Sequence, residues 1–91
     1  MAKWIKLGRY HEVLQDVMSE EKDDDIQFNE LCALLEMLGC TLNRVSESHQ
    51  IFSYGGIEEK IDLQIDENHR SKATTGQVKQ VREFIKMYID V

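Results

Sequence analysis

A chain of 91 residues that is 42% hydrophobic and 31% charged has the composition of one small globular domain, not of a disordered segment. Its formal net charge of −6 has the wrong sign for a general nucleic-acid-binding protein. No run approaches the roughly 18 apolar residues of a membrane span, and residues 1–6 do not resemble a signal peptide. We therefore expect a cytoplasmic protein with no membrane partner.

The first predicted element is an amphipathic helix near the N-terminus, followed by an acidic run at 19–25. The apolar residues of this helix recur at helical spacing, at Tyr10, Val13, Leu14, Val17 and Met18. The acidic run is most simply a solvated linker, and its carboxylates also suit the start of a following helix. Residues 1–25 are therefore predicted to form a helix and a linker, ahead of a domain at 26–91.

A second helix follows, and three strands come after it. The helix carries apolar residues at Phe28, Leu31, Leu34, Leu35 and Leu38, and Gly39 supplies a stop signal. Segments 41–45 and 50–54 are rich in β-branched and aromatic residues, which favours strands. Gly55-Gly56 predicts a turn. In segment 60–65, alternation places Ile61, Leu63 and Ile65 towards the core, with Asp62 and Gln64 facing away.

A final helix begins after a polar loop at 66–72. Thr74 and Gln77 have the spacing of a capping box, and the helix is expected to bury Val78, Val81, Ile85 and Tyr88. The element order predicts an α+β fold, with a three-stranded antiparallel sheet and helices on one face. That α-β-β-β-α layout is also the layout of double-stranded-RNA-binding domains, here with an extra N-terminal helix.

Two features bear on ligands. Cys32 and Cys40 lack the close pairing of a zinc site and are expected to be small buried residues, so the sequence predicts neither a metal nor another cofactor. Nine acidic and four basic residues occupy positions 1–43, whereas 68–82 holds four basic residues and no acidic one: Arg70, Lys72, Lys79 and Arg82. These four side chains are candidates for phosphate contacts or, equally, solvated surface charge.

The most informative segment places His49 at the start of the second strand, directly after a tight connection. A lone histidine is weak evidence of function, although histidine is the usual general acid or base. Its surroundings resemble the HicA-type toxins of bacterial toxin–antitoxin pairs. The resemblance covers about residues 26–91 and rests on four short motifs in the right order: residues 34–39, Arg44 with Ser48-His49-Gln50-Ile51-Phe52, residues 61–64 and residues 77–82.

The resemblance implies a metal-independent endoribonuclease that cleaves mRNA, with His49 as the general acid or base. It also implies Arg44 and Ser48 as RNA contacts beside the four C-terminal cations, and a HicB-type antitoxin as the protein partner. One departure is Glu47, which stands where the family has glycine. A glutamate adds negative charge beside a phosphate site, so a catalytically degenerate relative that binds RNA or protein remains an alternative. The N-terminal helix is expected either to pack on the domain or to mediate a homodimer.

Overall fold

The computed structural model describes residues 7–46, 49–65 and 71–89. Within them the order of elements is α1 (Leu7–Ser19), α2 (Phe28–Met37), β1 (Thr41–Val45), β2 (His49–Ser53), β3 (Ile61–Gln64) and α3 (Thr75–Tyr88). The strands form one antiparallel sheet in the order β1-β2-β3. The predicted α+β fold, with two helices before the sheet and one after it, is confirmed.

One face of the sheet is buried under the helices. Phe52, Ile61 and Leu63 are fully or almost fully buried, and the register pairs Leu42 with Phe52 and Phe52 with Ile61. Side chains that are directly paired lie on the same face of a sheet, so these residues define the inner face. The prediction that Ile65 also belongs to the core is wrong, because β3 ends at Gln64 and Ile65 is 38% exposed.

Local signals at the helix ends also agree with the structure. Gly39 follows α2 with φ +104, a left-handed conformation that favours glycine. The Thr74 hydroxyl accepts a hydrogen bond from the Gln77 backbone, while the Gln77 side chain accepts one from the Thr74 backbone. Both cysteines are buried as expected, and burial raises the pKa of the Cys40 thiol to about 11.

Helix α1 belongs to the same hydrophobic core as the sheet. Val13 and Val17 are buried in it, and Tyr10, Leu14 and Met18 pack against it. The apolar stripe of α1 is therefore used within the chain, against α2 and α3. Its expected role in a homodimer stays a prediction. None of the helices in the described part of the chain is long and apolar enough to span a bilayer.

Candidate functional site

His49 is the first residue of β2 and lies on the outer face of the sheet, the face that the helices leave open. It is directly paired with Gln64 of β3 and is two residues from Ile51, so these side chains share the outer face. The His49 side chain is 40% exposed. The predicted position of this histidine at a strand start is confirmed, and a dissolved substrate can reach its imidazole.

The nearest partner of the imidazole is a carboxylate on the neighbouring strand. Atom Nδ1 of His49 lies 2.9 Å from Oδ1 of Asp62. Asp62 is paired with Ile51, which places it diagonally across from His49 on the same face. Its own side chain is 53% exposed. The sequence correctly placed Asp62 away from the core but did not identify it as the partner of His49.

A β-bulge brings Arg44 to the same face. Leu42 is paired with Phe52, but Arg44 is paired with Ile51, so one extra residue, Asn43, is inserted in β1. In a regular strand Arg44 would share the inner face with Leu42. The extra residue reverses this orientation, as bulges near functional sites often do. Arg44 therefore lies in one cross-strand row with Ile51 and Asp62.

We call Arg44, His49 and Asp62 the outer-face triad. Arg44 is exposed and forms no ion pair with another described residue. The triad thus combines an imidazole, a carboxylate that can orient it and a cation available for an anionic ligand. Further along the same face, the Ser53 hydroxyl donates to the side-chain oxygen of Asn43 at 3.1 Å. This bond ties the bulge to β2 and supports the position of Arg44.

The predicted phosphate contacts near α3 face a different part of the chain. We call residues 20–25 the acidic segment. Within it, Asp25 forms an ion pair with Lys72, in which Oδ1 of Asp25 lies 2.8 Å from Nζ of Lys72. This contact lowers the pKa of Asp25 and raises that of Lys72. Lys79 is exposed and close enough to Asp23 to contribute to the lowered pKa of that carboxyl group. The acidic segment is therefore not simply a solvated linker.

Arg82 requires a correction, because it is buried. Its side chain is 3% exposed, and both terminal nitrogens bind Asp23, at 2.8 and 3.1 Å. One of them also donates to the Val17 carbonyl at 3.0 Å. The hydrogen bonds between the two side chains lower the pKa of Asp23 and raise that of Arg82. A guanidinium held in this way is not available to RNA, so Arg82 is a structural residue.

Two predicted RNA contacts, Ser48 and Arg70, lie outside the described ranges, and so does Glu47, the departure from the motif that resembles the HicA-type toxins. His11 is exposed on α1, with its ring 5.1 Å from that of Tyr10. In residues 7–46, 49–65 and 71–89, no group of three or more histidine, cysteine, aspartate or glutamate side chains is arranged to hold a metal ion.

Comparison with known proteins gives no match: no family model, no curated protein and no solved structure is significantly similar to this chain. The function of this chain must therefore be inferred from its own residues and short motifs.

Proposed function

We propose that this protein is a metal-independent endoribonuclease that cleaves mRNA in the cytoplasm, and that it is the toxin of a HicA-like toxin–antitoxin pair. The observation that carries the proposal is the outer-face triad, in which an exposed imidazole is held by a carboxylate beside a cation. The ordered motifs that resemble the HicA-type toxins supply the substrate class.

The chemistry requires few groups. RNA is cleaved when its 2′-hydroxyl attacks the neighbouring phosphorus, which forms a 2′,3′-cyclic phosphate and releases a 5′-hydroxyl. A base must take the 2′ proton, and an acid must protonate the leaving oxygen. A positioned imidazole acts in such transfers with a typical gain of about 10²–10⁴ in rate. His49 is the residue that we assign to this step, and Arg44 is suited to bind the charged phosphate.

The ion pairs of the basic residues affect how strongly the protein should bind RNA. Lys72, Lys79 and Arg82 face the acidic segment. Of the described cations predicted to contact RNA, this leaves Arg44 of the triad. We therefore expect the isolated protein to bind RNA with modest affinity. This affinity should depend only weakly on salt, because few counterions are released. An antitoxin of the HicB type would neutralise the protein by covering the outer face and His49.

The proposal is tested by incubating a mixed mRNA pool with purified protein in the presence of EDTA. We expect the wild type to cleave, and His49→Ala to lose at least about 10²-fold in rate. His11→Ala is the matched control, because it removes an exposed histidine of α1, a helix that packs against α2 and α3. A substrate with a single 2′-deoxy sugar at a mapped cleavage site should resist cleavage there.

Absence of cleavage by folded wild-type protein would contradict the proposal. The second candidate is a degenerate relative that binds RNA or protein. One observation favours a protein ligand for it: the acidic segment already pairs with Lys72 and Arg82, which removes two cations that an RNA contact would use. This candidate predicts binding of protein or RNA without cleavage, and no growth arrest when the chain is expressed alone. Growth arrest that disappears with His49→Ala would favour the toxin.

A further inference from the structure

We propose that Asp62 is the positioning residue of this site, and that it fixes which nitrogen of His49 exchanges a proton with RNA. The inference rests on the proposed function for its catalytic consequence. Its structural part, the state of the imidazole ring, can be measured without any substrate.

The contact determines the tautomer of the neutral ring. An ionised carboxylate only accepts hydrogen bonds, so Nδ1 of His49, at 2.9 Å from Oδ1 of Asp62, must carry the proton. The proton on one imidazole nitrogen leaves the other as the acceptor. Nε2 is therefore the basic atom, and it forms no hydrogen bond with another described residue.

The register of the sheet makes this contact specific to Asp62. Residues of β3 alternate between the faces, with Ile61 and Leu63 buried and Asp62 and Gln64 exposed. Gln64 is directly opposite His49, yet the contact goes to the diagonal carboxylate. Arg44, in the same row as Asp62, makes no ion pair with it. The carboxylate thus holds the imidazole and leaves the guanidinium for an anionic ligand.

The proposed proton path follows from this arrangement. Nε2 takes the proton from the 2′-hydroxyl as the bond from O2′ to phosphorus forms. The bond from phosphorus to O5′ then breaks, and the 5′ oxygen takes up a proton from the imidazolium or from water. The positive charge that appears on the ring is stabilised by the neighbouring carboxylate of Asp62. No co-reactant is needed, since the reaction is a transesterification within the RNA chain.

The first measurement is ¹⁵N NMR of the ring nitrogens of His49 at a pH where the ring is neutral. We expect the proton on Nδ1 in the wild type, and a shift of population towards the Nε2-protonated form in Asp62→Ala. Gln64→Ala is the matched control, because it removes an exposed side chain from the same strand and face. A wild-type ring protonated on Nε2, or an unchanged ring in Asp62→Ala, would overturn the inference.

The second measurement is cleavage kinetics on one RNA substrate. Partners that orient metal-binding histidines typically contribute about 10–100-fold, and we expect a loss of that size in kcat for Asp62→Ala with little change in KM. Asp62→Asn keeps a side-chain oxygen that accepts from Nδ1 and should recover part of the rate. Equal kcat for wild type and Asp62→Ala would overturn the positioning role.

The two measurements separate the inference from the proposed function. If the wild type cleaves no RNA, the proposed function fails, while the NMR result still decides whether Asp62 sets the state of the ring. If the wild type cleaves and the ring is protonated on Nε2, the ribonuclease stands and the role of Asp62 falls.

Discussion

Asp23 and Asp62 each bind a nitrogen-containing side chain from another element, at 2.8 and 2.9 Å, in very different surroundings. Asp23 holds Arg82, whose side chain is 3% exposed, between α3 and the acidic segment. Asp62 holds His49 on the open face of the sheet, where the two side chains are 53% and 40% exposed.

The difference lies in what each contact replaces. Arg82 has lost its water, and Asp23 and the Val17 carbonyl take the place of that water at its two terminal nitrogens, whereas its buried Nε has no hydrogen-bond partner among the described residues. Val17 lies in the last turn of α1, where carbonyls lack a partner within the helix and a cation is favoured. His49 keeps much of its contact with water, so Asp62 orients the ring more than it stabilises the fold. The first contact is structural, and the second suits chemistry.

Breaking the buried pair should therefore produce the largest change in stability. Asp23→Ala leaves the guanidinium of Arg82 buried without a counter-charge, and we expect a loss of about 3 kcal/mol in the free energy of unfolding. Arg82→Met should cost less, about 1–2 kcal/mol, because the Asp23 side chain is already 23% exposed and can regain water. Urea unfolding followed by circular dichroism measures both.

A double-mutant cycle sharpens this prediction. The loss in Asp23→Ala combined with Arg82→Met should be smaller than the sum of the single losses, because the two residues share one interaction. Asp24→Ala, an exposed neighbour in the acidic segment, serves as the control. A larger loss for Arg82→Met than for Asp23→Ala would show that packing of the side chain, not its buried charge, dominates.

The sequence predicted most of the fold, because its signals are local. The capping box at Thr74 and the stop at Gly39 each require only nearby residues, and both agree with the structure. The place of Arg82 was missed, although the helical spacing carried a signal: Arg82 lies four residues after Val78, next to Val81. A charged residue on an apolar stripe is buried only when a distant partner exists, and that partner is 59 residues away.

The site was predicted less completely than the fold. His49 was identified and its exposed position at the start of β2 is as expected. Two of its neighbours depend on tertiary geometry. Asp62 reaches His49 only in one register of β2 and β3, and the irregular segment 54–60 between these strands does not specify that register. Arg44 lies on the outer face because of the bulge at Asn43, and no residue pattern in β1 predicts this bulge.

Acid should weaken the buried contact only at low pH, once Asp23 takes up a proton. Arg82 lowers the pKa of Asp23 below its ordinary value of 3.8, so the carboxylate contributes stability that is fully present above that pH. This contribution is lost as the pH falls through the lowered value. Urea unfolding from neutral pH down to about pH 2 should show the wild type and Asp23→Asn converging in stability. Parallel curves would mean that the Asp23 charge contributes nothing.

The smallest effect is expected from the exposed pair formed by Lys72 and Asp25. Their atoms are 2.8 Å apart, as close as the buried pair, but the side chains are 44% and 63% exposed. Water and salt screen such contacts, so Asp25→Asn and Lys72→Gln should leave the urea midpoint unchanged within error. A loss as large as that of Asp23→Ala would contradict the view that burial separates the two kinds of contact. Asp62→Asn, which also changes an exposed carboxylate, should likewise leave the urea midpoint unchanged. It should differ from Asp25→Asn only in that it slows RNA cleavage.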